Sequence, residues 1–493
     1  MLKRQSPAVG LAACLVLILV AAGFSPRRAI DQPALRGIPV TSPPADAPDW
    51  LEAASPARRT YYASPTGSAR NPGTVARPLD LATGLSTHGP LRPGDLLWLR
   101  QGVYRGNFRS DLTGAVGARI VVAQYPGERA VLDGAASPAD PVLRVDGAHV
   151  VYWGFEVTSS APNELGRERG AGIDVFGPDT KFINLVIHHT GNGVGFWTPA
   201  LASELYGCLI YQSGWDGADR GHGHSIYVQN ATPEKRIVDN ILLDGRSFGI
   251  HAYTEGGQID QLHIEGNISF DHGVASRVSG AKANILVGGW RTAHHTVLSS
   301  NYVYHRDDRS GPSVEVGRIG GCSDAVMTDN YIAGRSPLVL WRCDRVTMTG
   351  NTFVGDVSKL VVARFPDNHY MADKPARTEI FIRPNRYQAG RANIAIFNWE
   401  RRTSVRLDLS TVGLRAGEPF EIRDARNYFG DPLSVGVYGK TPIDLPLTSM
   451  LLPDDVAPDT SGLVAEFGAV IVKPVRVGLA HGLPWASSPG DFQ

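Results

Sequence analysis

Three observations predict an all-β chain wound as a right-handed parallel β-helix, with an N-terminal capping helix and a small C-terminal β-sandwich. A short phrase of apolar residue, spacer, Asn, spacer and apolar residue recurs along the chain, at intervals of 21 to 34 residues. A second strand-like segment accompanies each copy. Gly and Pro are frequent, at 55 and 34 of 493 residues, which suits many short strands joined by tight turns.

The chain opens with Lys3 and Arg4 before an apolar run from Ala8 to Phe24, closed by Ala21, Ala22 and Gly23. This is the pattern of an export signal, with an uncleaved membrane anchor as the competing reading. The chain is therefore expected to be secreted or to sit in the periplasm or cell envelope. Leu11-Ala12-Ala13-Cys14 has the form of a lipoprotein box, but the apolar run continues past Cys14, which argues against lipidation. Residues 25–59 are rich in Pro and Ala without a sustained period and read as a linker.

The coil is expected over 60–377. Its phrase reads FINLVIHH at 182–189, LYGCLIYQ at 205–212, IVDNILLDG at 237–245 and IEGNISFDH at 264–272. LSSNYVYH at 298–305, MTDNYIAG at 327–334 and MTGNTFVG at 348–355 continue it. Aligning the centres places Gly154, Asn184, Gly207, Asn240, Asn267, Asn301, Asn330 and Asn351 in one column. Variable periods of this size mark a solenoid whose turns differ in loop length. Each Asn is expected to take the left-handed conformation at a bend and to bond the Asn one coil away, about 4.8 Å along. The accompanying strands are GIDVF (172–176), GVGFW (193–197), SIYVQ (225–229), GIHAY (249–253), NILVG (284–288), SVEVG (313–317), PLVLW (337–341) and KLVVA (359–363). Each points its second residue inward, except PLVLW, where Val339 is assigned inward. Residues 378–477 lose the repeat and alternate like the strands of a sandwich, and 478–493 read as a loose tail.

The block YYASPTGSARNPGTVARPLD (61–80), LRPGDLLWLRQGVYRG (91–106) and IVVAQYPGERAVLDG (120–134) resembles the opening of right-handed β-helix proteins of the pectate-lyase-like superfamily. It is similar to secreted polysaccharide lyases of the chondroitinase-B and alginate-lyase type. The resemblance covers about 60–375 and implies a capping helix near 78–87 and a carbohydrate substrate. GHGHSI (221–226), with Asp216 and Asp219 before it, is similar to the Gly-His-Gly of polygalacturonase-type hydrolases. No Asn-Thr-Asp or Arg-Ile-Lys accompanies it, which speaks against a pectin hydrolase.

In a strand, residues two apart share a face. The outward column is thus Asp174, Gly195, Tyr227, His251, Leu286 and Glu315, beside Phe176, Trp197, Gln229, Tyr253, Gly288 and Gly317. A polar column beside an aromatic one suits a sugar groove. The candidate catalytic residues are His251, Tyr227, Glu315 and His224; the candidate substrate contacts are Trp197, Tyr253, Asp174, Arg318, Gln229 and Lys282. His188, His189, His263, His294 and His295 are assigned to backbone hydrogen bonds in loops. Two reactions fit: β-elimination, with Tyr227 or His251 as base and Lys282 or Arg318 against a uronate carboxyl, or hydrolysis by two carboxylates drawn from Asp174, Asp216, Asp219, Glu255 and Glu315. A non-catalytic glycan-binding or surface-structural coil is the alternative. No cofactor is assigned, though calcium suits oxygen-rich loops such as 216–224. Forty-eight basic residues balance 48 acidic ones, which gives no overall footprint for nucleic acid. A monomer is expected, with membrane contact only through an uncleaved N-terminal anchor.

Cys322 and Cys343 each precede their column Asn by the same interval. They are therefore predicted one coil apart, about 4.8 Å between Cα atoms, within reach of a disulfide. Cys208 is predicted to be a lone buried thiol.

Overall fold

The computed structural model describes residues 59–306, 311–450 and 464–475. The expected export segment, nearly all of the linker and the tail lie outside the described residues.

The described chain is almost entirely β and forms a parallel β-helix followed by a small antiparallel sandwich. Three parallel sheets of eleven, nine and eleven strands run the length of the coil. One turn shows how they are wound. Ile226–Val228 lies in the nine-stranded sheet, Lys235–Val238 in the first eleven-stranded sheet and Ile241–Leu243 in the other. The next turn repeats the order with Ile250–Thr254, Asp260–Glu265 and Ile268–Phe270. For brevity the three are called the groove sheet, the first sheet and the covered sheet.

The Asn phrase marks the bend between the first and covered sheets, and there the work is divided between two residues. Val186 pairs with Leu209, and Leu209 with Ile241, so Asn184 and Gly207 align with Asp239 rather than with Asn240. The left-handed residues are Gly154, Asn184, Gly207, Asp239, Gly266, Ser300, Asp329 and Gly350. The ladder begins one position later. Asn240 Nδ2 donates to Asn267 Oδ1 at 2.9 Å, Asn267 to Asn301 at 3.0 Å, and Asn301 to Asn330 at 2.9 Å. Asn330 continues to Asn351, and Asn351 to Asn368, both at 2.7 Å. The expectation that one Asn would both bend and bond therefore holds only in part. A left-handed residue turns its side chain out of the coil, whereas the ladder amides must stay inside. There they also donate to strand carbonyls, as Asn301 does to Ile264. Cys208 stands in the ladder column itself as a buried free thiol, its N–H bonded to Asn240 Oδ1 at 2.9 Å.

Two other expectations are corrected. The capping helix is a single turn, Leu81–Gly84, with Asp80 accepting from the Thr83 N–H at 2.8 Å. The segment 359–363, read as a strand, lies in the helix Lys359–Arg364. The groove sheet ends at Ser336–Leu340, and a helix satisfies its own backbone without a partner strand.

The disulfide joins Cys322 to Cys343 with Cα atoms 4.4 Å apart, on paired positions of adjacent coils. Gly317 packs directly on it, since a Cβ there would lie 2.7 Å from Cys343 Sγ.

The sandwich contains a five-stranded antiparallel sheet that includes Ala392–Phe397, Phe467–Pro474 and Pro419–Asp424, and a pair, Ser404–Leu407 with Ile443–Pro446. Ile394, Ile396, Val470 and Val472 face its own core. The alternate residues Ala395, Phe397, Phe467 and Ala469 pack on Leu243, Phe270, Tyr304 and Tyr331 of the covered sheet. Arg426 locks this seam with Asp244 at 3.0 Å and Asp271 at 2.8 Å. The groove sheet is left facing outward.

Candidate functional site

The predicted column exists. Successive pairings run Ile173–Val194–Ile226–Ile250–Ile285–Val314, which aligns Asp174, Gly195, Tyr227, His251, Leu286 and Glu315 on the outer face. Two positions differ from the reading. A bulge between Val287 and Gly288 shifts the register, so Arg318 rather than Gly317 lies beside Gly288. In the last strand Leu338 pairs with Val314 and points inward, and Val339 pairs with Glu315. An unbroken apolar run carries no alternation from which its face could be read.

Around His251 the face deepens into a cavity of about 320 Å³. Tyr227, His251, Tyr253 and Arg318 line it from the sheet; Arg220, His222 and His224 line it from one loop, Phe248 and Lys282 from two others. The first loop is a small hairpin in which Trp215–Asp216 pairs with Gly221–His222. It is tied to the loop that precedes Ile285–Gly289, two coils on, by Asp216, which accepts from Ser276 Oγ at 2.7 Å and the Arg277 N–H at 3.2 Å. Asp216 is thus a strut. His222 stacks on Trp215 and bonds Asp219 Oδ1 through Nε2 at 2.8 Å.

His251 is only 8% exposed, with its ring stacked between Phe248 and Tyr253 at centroid distances of 4.3 and 4.8 Å. Its Nδ1 lies 3.1 Å from His224 Nε2. Burial pushes His224 down to about 3 and holds His251 well below its usual value, so both rings are neutral near pH 7. Their tautomers follow from one backbone contact. The Phe248 N–H donates to His224 Nδ1 at 3.3 Å, which leaves the His224 proton on Nε2. That proton points at His251 Nδ1, so His251 carries its own proton on Nε2 and is a donor. Burial raises the Tyr227 phenol, which stays protonated as well. The residues first read as bases are therefore hydrogen-bond donors.

Glu315 is on the predicted sheet, but it is 4% exposed and does not line the cavity. It accepts from Arg318 Nη1 at 3.1 Å and from Trp341 Nε1 at 3.2 Å, and so orients the cation. Asp174 accepts from Trp197 Nε1 at 2.9 Å, and burial raises its carboxyl. Trp197 stacks with Phe176 and leans over Tyr227, while Gln229 accepts from Thr198. These residues form an aromatic shelf running from the cavity toward earlier coils. Among the described residues, Glu255 is the carboxylate that lines the cavity. The histidines set aside lie elsewhere, yet their partners are mainly side chains: His188 bonds Glu156, His263 bonds Glu265, His294 bonds Ser323 and His295 bonds Asp260. Phe248, Arg220 and His222 were missed as site residues because loops have no register to count along, whereas Glu255 was among the candidate carboxylates. Among the described residues, no group of three or more His, Cys, Asp or Glu is placed to hold a metal ion.

The coil resembles those of polysaccharide lyases. Among similar solved structures is a pectate lyase, 18% identical over 62% of this chain and 80% of its own, at a TM-score of 0.44. A rhamnogalacturonan lyase is 17% identical over 56% and 74%, at 0.45. A lacto-N-biosidase from Eubacterium ramulus is 13% identical over 63% and 68%, at 0.41. No protein-family model and no curated protein sequence matches the chain.

Proposed function

We propose that the protein binds a uronate-bearing polysaccharide across the groove sheet and cleaves it by β-elimination. The observation that carries this reading is the make-up of the cavity. Arg220, Lys282 and Arg318 line it together with the donors His251 and Tyr227, against one carboxylate among the described residues, Glu255. Hydrolysis needs two carboxylates flanking the bond, and Glu315 and Asp174 are turned to other partners. Elimination needs cations to neutralise the uronate carboxyl, a base for the C5 proton and a donor for the departing oxygen. His222 supplies the base: its Nε2 proton is held by Asp219, which leaves Nδ1 free to accept. The C5–H and C4–O bonds break, a C4=C5 double bond forms, the C5 proton passes to His222, and the phenol proton of Tyr227 passes to the leaving oxygen, while the neutral His251 donates its Nε2–H as a hydrogen bond to the developing charge. Phe176 and Trp197 carry the preceding sugars on their faces.

The same proposal places the chain outside the reducing cytoplasm. The N-terminal pattern and the Cys322–Cys343 disulfide support it.

The test is incubation of the purified protein with pectate, alginate, a glucuronate polymer and a neutral glucan. Ultraviolet absorbance from the new double bond, with the acidic polymers alone, is the expected result. New reducing ends without that absorbance would replace elimination with hydrolysis. Binding of the acidic polymers without cleavage would leave a glycan-binding coil.

A further inference from the structure

A second cavity, of about 340 Å³, lies at the seam between coil and sandwich, far in sequence from the groove loops. The loop carrying Gln388 and Arg391 closes over the coil bend at Gly154 and Asn184. Trp98 and Trp153 line the cavity from the coil, and Tyr428 lines it from the sandwich. Aromatic surface of this kind covers the apolar face of a sugar ring.

The charges there do not balance. Glu128 is held by Arg100, with Nε at 2.8 Å, and Glu421 by Arg423 at 2.7 Å and Lys473 at 2.9 Å. Arg391 is 4% exposed, and among the described residues no carboxylate lies within ion-pair distance of it. Its Nε and Nη2 have no hydrogen-bond partner, and neither has Trp98 Nε1. Leaving a guanidinium buried without a counter-charge is costly. Tyr428 reports the resulting field: burial would raise its phenol, but Arg391 and Lys473 outweigh burial and hold it below the usual value.

We infer that this seam is a second ligand site, taking a small acidic saccharide with its carboxylate on Arg391 and its ring among Trp98, Trp153 and Tyr428. The volume suits one or two sugar units, since small-ligand pockets begin at about 300 Å³. The unpartnered indole N–H of Trp98 donates to a hydroxyl. The site performs no chemistry in this assignment, and it stands whether or not the groove is a lyase.

The experiment is calorimetric and fluorescence titration of the full chain with galacturonate, glucuronate and mannuronate, each against its neutral sugar. At least one uronate is expected to bind about tenfold or more tighter than its neutral counterpart, the range for a hydrogen bond to a charged group. Arg391→Met is expected to abolish that preference, and Arg318→Ala in the groove to leave it intact. Trp98→Phe, which keeps the ring and removes the donor, is expected to weaken binding severalfold; it decides the matter if Arg391→Met does not fold. Equal binding of acidic and neutral sugars, no binding of any uronate, or unchanged uronate binding in both Arg391→Met and Trp98→Phe would overturn the assignment. Uronate binding lost only in Arg318→Ala would move the ligand to the groove. Loss of lyase activity as a reading, with Arg391-dependent binding intact, would leave the seam site standing.

Discussion

The covered sheet and the groove sheet are built by the same turns of chain, yet their outer faces are opposites. The covered sheet presents Leu243, Phe270, Tyr304 and Tyr331, and the sandwich buries them with Ala395, Phe397 and Phe467. The groove sheet presents Tyr227, His251 and Arg318 and, among the described residues, carries no second layer of strands. Inward positions are alike in both, so the coil core does not distinguish them. What differs is the outward column, where apolar residues call for a cover and polar ones with aromatic neighbours serve a ligand. The comparison teaches that function in a solenoid is written on the face that the fold does not need.

The strongest way to break this contrast is at the covered face. Arg426→Ala leaves Asp244 and Asp271 facing each other with little solvent, and it should cost about 3–5 kcal/mol by urea denaturation. Activity per folded molecule should stay unchanged. A drop in kcat would show that the sandwich acts on the groove. Reduction of the disulfide comes next. It opens a link spanning 21 residues and should cost about 3 kcal/mol. Gly317 rests on Cys343, so loosening there should also raise KM through Arg318. Thiol counting on the denatured, unreduced protein should find Cys208 alone among Cys208, Cys322 and Cys343.

On the open face, His251→Leu should lower kcat by about a hundredfold or more, the usual scale for losing one hydrogen-bond donor to developing charge. The Ala variant is the poorer probe. His251 is nearly buried between two rings, so its truncation would also lower the melting temperature. An unchanged kcat in the Leu variant would remove His251 from the mechanism.

The smallest effect is a pH slope. Burial holds His272 at about 3 and His305 at about 4, where the third strand of each coil turns toward the groove sheet. Both stay neutral in the fold while the unfolded chain, titrating near 6.5, takes up protons. The unfolded state thus binds more protons between about 6.5 and 4, and stability falls as pH falls through that window. Each histidine contributes up to about 1.4 kcal/mol per pH unit. His272→Leu should flatten the slope of the melting temperature against pH; an unchanged slope would assign the protons elsewhere.

The sequence by itself determined the coil. Period-two alternation and a phrase repeated in one register follow from local chemistry that any reader of the chain can count. That register carried through to the His251 column, to the pairing of Cys322 with Cys343, and to a ladder from Asn240 to Asn351, which the structure extends to Asn368. It erred by one residue at Gly154, Asn184 and Gly207, since both the bend and the ladder favour Asn and the letter alone does not say which role it serves. Only the tertiary structure decided what the groove is. Arg220, His222, Phe248 and Lys282 reach the cavity from loops of unequal length, which no period constrains. The protonation of His224 and His251 likewise depends on burial and on one Phe248 N–H, neither of which exists until the coils are stacked.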